Sequence, residues 1–252
     1  RVALPLLPEG AQTWLPVLAW LCLGNILYCG LVAMRQKDLN QLIGNSSVAH
    51  MGFVFLGIAS LTTIGLTGAV MVMFAHGLLA ALAFGLSGYL YTQTRTLDME
   101  KVGGLLKGMP FWGTAMIMAL LAGCGLPGFA NFAGEITVFF GAWSIPAFEA
   151  GQSLTHPLQE YSLQFRVITM IAIWSALVIG AVYMLRAIRN LLHGEPDPDA
   201  PKAEDITHWK KLPYALLIGV LLLFGCYPKL LTEKINTASK SIQQAVQSDY
   251  NR

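Results

Sequence analysis

The fold class this sequence predicts is an all-α, polytopic membrane protein, and three observations carry that prediction. Of the 252 residues only 12% are charged and 55% are apolar, about half the charge of an ordinary soluble domain. Several apolar runs reach the roughly 20 residues that a helix needs to cross a bilayer. One long apolar run is interrupted by Gly125-Leu126-Pro127-Gly128 and then carries a lone carboxylate, Glu135. About six transmembrane helices are expected, one of them discontinuous.

Residues 1–13 read as a Pro-punctuated tail after a truncated helix. The opening Arg-Val-Ala-Leu lacks an initiator Met and a signal pattern, so the chain is expected to be a piece of a longer protein. Trp14–Met34 is the first span, Gln41–Leu61 the second and Gly65–Tyr91 the third. They are joined by a polar link at 35–40 and a short Thr/Gly turn. The polar link 92–109 leads to the broken span, Pro110–Ile145, long enough for two half-helices and their joint. A loop to Phe165 precedes the fifth span, Val167–Leu185. The acidic, Pro-rich stretch Glu195–Asp205 lies in a solvated connector, 191–211. Leu212–Tyr227 is the sixth span, and 212–252 forms a terminal unit with its tail. Beyond residue 229 apolar residues recur at helical spacing, which fits an interfacial helix or a frayed terminus equally well. Residues 14–190 form a five-span block.

Charge placement orients this arrangement. Ten of the sixteen Lys and Arg residues fall in the links at 35–40, 92–109 and 186–211: Arg35, Lys37, Arg95, Lys101, Lys107, Arg186, Arg189, Lys202, Lys210 and Lys211. These links share one side, which the positive-inside rule makes cytoplasmic. A formal net charge of +2 implies no nucleic-acid partner. Cys22, Cys29, Cys124 and Cys226 all lie in apolar runs without a C-x-x-C pair, and read as packing residues rather than a disulfide or metal framework.

Three ionisable side chains stand inside the spans: His50, His76 and Glu135. At about 1.5 Å per residue, each histidine lies about 14 Å into its helix, near the middle of a core about 30 Å thick. Glu135 follows the break at similar depth. Taken alone, a buried histidine commonly only joins helices, and a buried Glu can simply pin two half-helices. Three titratable groups at one depth on three successive spans favour a proton path instead. Ser46, Ser47 and Asn45 add a polar stripe beside His50, with Ser46 and Ser47 on its helical face.

The break has a chemical basis. Pro127 lacks an N–H, Gly125 and Gly128 relax the backbone, and Asn131 is placed to cap the second half-helix, with Glu135 in its first turn. There the helix N-terminal field favours the carboxylate while burial favours the acid. Opposed influences suit a group that exchanges protons, as does histidine. No metal-ligand spacing, phosphate-binding loop, nucleophile elbow or dinucleotide fingerprint is present.

Several motifs resemble a known family. Ser46-Ser47-Val48-Ala49-His50-Met51-Gly52-Phe53, Ala75-His76-Gly77-Leu78, Asp98 with Gly103-Gly104-Leu105, and Gly125-Leu126-Pro127-Gly128 followed by Phe132-x-Gly134-Glu135 occur in order. Together they resemble the antiporter-like subunits of proton-translocating NADH:quinone oxidoreductase (respiratory complex I). Sibling subunits and cation/proton antiporters generally carry Lys in the broken helix, so Glu135 points to the chain M (chain 4) type. The resemblance covers most of residues 1–190. It implies a fourteen-span subunit of which this chain holds spans nine to fourteen, including the second antiporter-like repeat. His50 and His76 would relay protons to Glu135, which passes them outward, with partner lysines upstream of Arg1.

The resemblance further implies NADH, FMN, Fe–S clusters and quinone in partner subunits, with no cofactor, metal or redox site in this chain. Its partners would be the other membrane-arm subunits, its sibling antiporter-like subunits among them, together with lipid and protons. Its expected location is a bacterial-type inner membrane rather than the mitochondrial one. Asn40-Gln41 and Asn45 depart from the family's basic pair and Tyr, weakening a cytoplasmic-side basic patch. Asp38 matches, as a helix cap or a contact to a neighbouring subunit. The alternatives are a cation/proton antiporter or membrane-bound hydrogenase subunit of the same superfamily, and a scaffold whose ionisable groups only fix packing.

Overall fold

The computed structural model describes residues 8–144, 156–193 and 203–250, and its named elements are all helical. The expected tail at 1–7 and part of the expected connector, 194–202, lie outside the described residues. Helix α1 spans Pro8–Arg35. Residues 8–13, expected in the tail, are therefore helical. Helices α2 (Leu39–Ala59) and α3 (Thr63–Thr94) follow. The short α4 (Leu105–Gly108) leads to α5 (Pro110–Gly123) and α6 (Ala130–Trp143). Next come α7 (His156–Trp174), a π-helical turn (Ser175–Ile179) and α8 (Gly180–Leu192). Helices α9 (His208–Cys226) and α10 (Lys229–Tyr250) end the chain.

Among the described residues, five segments are individually long and apolar enough to span: Trp14–Arg35, Leu39–Ala59, Thr63–Thr94, Leu163–Leu192 and His208–Cys226. At 14 residues each, α5 and α6 are only about 21 Å long. Neither crosses alone; end to end they form the sixth, discontinuous span.

Helix α6 packs most closely on α3, because glycines remove the side chains between the two. A β-carbon on Gly141 would lie 2.2 Å from Gly65 N, and one on Gly134 would lie 2.9 Å from Val72 N. Small residues at a helix contact replace side-chain bulk with backbone proximity, which gives van der Waals attraction without any help from water.

On the side rich in Lys and Arg, the links are tied together. Asp38 caps α2 by accepting from Gln41 N at 3.0 Å, which is the capping role. Leu39 N donates to Leu97 O and Met99 N to Lys37 O, both at 2.9 Å, so the two links pair like a fragment of antiparallel ladder at Asp38 and Asp98. Arg186 donates to the Met34 and Gln36 carbonyls, satisfying acceptors at the end of α1. At the opposite end of α3, Thr67 Oγ1 donates to Asn236 Oδ1 at 2.9 Å and accepts from the Ser239 hydroxyl at 3.1 Å. The tail is thus a packed helix, not a frayed terminus.

Helix α5 has no side-chain cap of its own at Met109. Asp205, from the far side of the connector, supplies one. Its carboxylate accepts from Phe111 N and Trp112 N at 3.0 Å each and from Ile206 N at 2.8 Å, with Lys211 at 3.8 Å. Partial burial pushes this carboxyl up, but the three N–H donors and Lys211 outweigh it and hold it below the usual aspartate range. A folded-state value below the unfolded one stabilises the protein above the unfolded value, and that contribution disappears as pH falls through the folded one. Asp205→Ala in the full-length protein is expected to lower stability by about 1 kcal/mol at neutral pH. In thermal unfolding the two proteins should converge once acid has titrated the aspartate; a deficit that persists in acid would contradict a charged cap.

Candidate functional site

The joint between α5 and α6 creates the site. Gly125 and Gly128 adopt φ of +74° and +104°, which side chains rarely tolerate, and Pro127 between them offers no donor to continue a helix. Leu126 N still reaches Leu121 O at 3.2 Å, and Phe129 N reaches Leu126 O at 3.3 Å. The polar backbone at the break is therefore partly satisfied from within. A β-carbon on Gly125 would lie 3.0 Å from Glu135 Oε2, so this glycine also admits the carboxylate against the joint.

Asn131 does not cap α6. The N-cap is Phe129, with no side-chain hydrogen bond. Asn131 is already inside the helix, fully buried, and neither of its amide atoms has a hydrogen-bond partner among the described residues. The break ends two residues, about half a turn, earlier than a cap at Asn131 would require, because Phe129 is extended (φ −101°, ψ 150°) and Ala130 begins the helix. Glu135 consequently sits in the second turn, not the first.

The three ionisable residues converge. His50 on α2, His76 on α3 and Glu135 on α6 are all buried. The His50 and His76 rings stack with centroids 5.0 Å apart and planes 25° from parallel. His50 Nε2 lies 3.4 Å from Glu135 Oε1, within reach of ion pairing although Oε1 makes no well-formed hydrogen bond. His50 Nδ1 lies 2.7 Å from the Ser46 carbonyl. A carbonyl only accepts, so Nδ1 carries the hydrogen and, in the neutral ring, Nε2 presents its lone pair to Glu135. Ser47 Oγ lies 2.6 Å from His76 Nε2, and Ser46 Oγ lies 3.5 Å from His50 Nδ1. Both serines thus join the site. Asp38, at the far end of α2, does not.

Two cavities of about 20 Å³ flank the stacked rings. One is bounded by Ser46, Ser47 and His76, the other by His50, Glu135 and Tyr183. Each has room for a single water. His76 Nδ1 also lacks a hydrogen-bond partner among the described residues, and buried polar atoms rarely go without one. On its other side Glu135 faces an apolar cavity of about 330 Å³ whose walls include Phe132, Phe139, Phe140, Trp143, Met170 and Leu177.

Chemically, a neutral Glu135 can donate to Nε2 of His50, and an imidazolium there can return the proton. Two charged imidazoles 5.0 Å apart in a dry interior would repel, so the stack favours one added proton over two. Sequence reasoning missed Tyr183, whose hydroxyl lies 3.0 Å from Ser46 Oγ. It also missed the π-turn and Asp205. The slip that marks the π-turn shows in which residues are buried across 165–192, not in the sequence, where almost every face is apolar.

A bundle of bilayer-length helices, one of them broken and three of them holding buried titratable groups in contact, defines an integral membrane protein built to keep ionisable side chains away from bulk water. Residues 1–150 match the family described as "NADH:quinone oxidoreductase/Mrp antiporter, TM", and the chain belongs to that family. It is 34% identical over 251 residues to "NAD(P)H-quinone oxidoreductase chain 4 1" of Synechococcus elongatus, covering 99% of this chain and 44% of that protein. It is 32% identical over 229 residues to "NADH-quinone oxidoreductase subunit M" of Rickettsia prowazekii, covering 90% of this chain and 43% of that one. Its fold superposes on a chain of respiratory complex I from Thermus thermophilus with a TM-score of 0.83 at 27% identity, covering 98% of this chain and 48% of that chain. The chain thus spans less than half the length of these relatives. The resemblance to the chain M (chain 4) type is borne out, and the antiporter and hydrogenase alternatives are not favoured.

Gly125→Ala is expected to cost about 1–2 kcal/mol from its left-handed backbone alone and to displace the Glu135 carboxylate. Thermal unfolding of the purified full-length protein would show the loss; native stability would contradict the geometry of the joint.

Proposed function

We propose that this chain is the part of a chain M-type subunit of NADH:quinone oxidoreductase that carries protons through the membrane, driven by quinone reduction elsewhere in the complex. The observation that carries this reading is the continuous contact His76–His50–Glu135, in which His50 touches both neighbours. Protons enter from the Lys- and Arg-rich side, taken as cytoplasmic, and reach His76 beside Ser47. They pass through His50 to Glu135 and leave toward the outer side. The apolar cavity beyond Glu135 is a barrier on that exit, since a charge in it is costly until water enters.

In this reading the chain has no redox centre of its own. Among the described residues no group of three or more His, Cys, Asp or Glu is arranged to hold a metal. NADH, FMN, Fe–S clusters and quinone belong to partner subunits, and the sibling antiporter-like subunits are membrane neighbours. The complex sits in a bacterial-type inner membrane. Residues 14–190 act as one five-span proton-carrying unit, with 212–252 as a terminal span and packed tail.

In the full-length subunit within its assembled complex, Glu135→Gln removes the titratable group and is expected to lower proton pumping coupled to NADH oxidation by at least about tenfold, as loss of an acid–base residue does. Pumping at the native rate would overturn the role. His50→Gln, which severs the middle of the row, should be as damaging as Glu135→Gln. Pumping by this variant close to the native rate would place the path elsewhere.

A further inference from the structure

The proton row uses neither Tyr183 nor the π-turn that precedes it. Tyr183 is 3% exposed. Its hydroxyl meets Ser46 Oγ at 3.0 Å, and Ser46 is the residue whose carbonyl holds His50 Nδ1 at 2.7 Å and whose hydroxyl lies 3.5 Å from the same nitrogen. Tyr183 also lines the small cavity that His50 and Glu135 share.

Helix phase explains how a residue so far along the chain arrives there. In α7 the buried stripe runs through Phe165, Ile168, Thr169 and Ala172. At 3.6 residues per turn it would continue through Ala176, Ile179, Tyr183 and Asn190, with Tyr183 five full turns after Phe165 and so at its centre. The residues buried in α8 are Gly180, Tyr183, Met184, Ala187, Ile188, Leu191 and Leu192, a stripe centred about one residue later, with Tyr183 at its edge. A π-turn inserts one residue, and a one-residue insertion turns the following helix by about 100°. Ser175–Ile179 is that insertion. It turns Tyr183 from the centre of the stripe to its edge, where the hydroxyl meets Ser46 of α2, and turns Arg186 away from the stripe toward the end of α1.

We propose that Tyr183 is a positioning residue for the proton row: set by the π-turn, its hydroxyl anchors Ser46 so that His50 Nδ1 stays bonded to the Ser46 carbonyl and Nε2 stays aimed at Glu135. This rests on the proton-carrying reading above. The titratable groups surrounding His50 are His76 on α3, Glu135 on α6, Cys124 at the joint and Tyr183 on α8; Ile26 and Gly30 are what α1 contributes to the cavity wall.

The test compares Tyr183→Phe, Ser46→Ala and the double variant in the full-length subunit of the assembled complex, with Glu135→Gln alongside. Phe keeps the ring and removes only the hydroxyl. The expected result is a near-native amount of assembled complex and a pumping rate per complex lowered about three- to tenfold, the worth of one hydrogen bond. The pH profile of pumping should also be displaced from the native one. Ser46→Ala should behave alike, and the double variant should be no worse than either, because both act through one contact. A native rate and profile for Tyr183→Phe beside an impaired Glu135→Gln would overturn the role of Tyr183 alone. So would a loss of assembled complex with an unmoved profile, which marks a purely structural residue. Native pumping by Glu135→Gln would instead remove the proton-carrying reading on which the proposal rests.

Discussion

Everything around Glu135 depends on how closely the half-helix α6 approaches α3. A helix of 14 residues cannot be fixed in depth by spanning the hydrocarbon, because it is shorter than the roughly 20 residues a span requires. Its position comes from its neighbour. With Gly134 and Gly141 against Val72 and Gly65, the two backbones touch and no side chain can slip between them. That contact sets the depth of Glu135 relative to His76, which α3 carries. Helix α2 then completes the arrangement by placing His50 against both. A β-carbon at Gly141 would separate these backbones and loosen all three residues at once.

The same constraint explains why the site is a row rather than a pair. Lipid satisfies neither backbone nor charge, so polar atoms must find their partners within the protein. His50 does so through Ser46 of its own helix, and His76 through Ser47 of α2. Serines at successive positions of α2 serve histidines on two different helices. Glu135 has no such dedicated donor. Its nearest basic neighbour is His50 at 3.4 Å, and its other face meets an apolar cavity. In the proposed role, the group with the fewest fixed partners is the one that gains and loses a proton, while the serine contacts orient the two histidines.

Much of this was legible in the sequence because hydrophobicity and breakage are local signals. The apolar runs located the spans, and Gly125, Pro127 and Gly128 located the joint to the residue. His50, His76 and Glu135 announced themselves as charges where charge is expensive. The failures came from contacts that no local pattern encodes. Asn131 looked like a cap because caps favour Asn, yet the helix begins at Ala130 and leaves it inside. Asp205 sits in an acidic, Pro-rich stretch that reads as solvated connector, but it closes the open end of α5 from ninety-odd positions away in the chain. The contact of Tyr183 with Ser46 was invisible because the direction of its side chain depends on one extra residue in a π-turn. An apolar helix hides such a slip, since almost every face of it is hydrophobic.

The central claim is that Glu135 takes up and releases a proton while the protein works. Infrared difference spectroscopy of the full-length subunit in its complex, comparing rest with NADH-driven turnover, addresses that directly. The account predicts a carboxylic-acid carbonyl band that changes during turnover and is missing from the Glu135→Gln variant. Identical difference spectra for the native protein and the variant, with pumping intact in both, would contradict it.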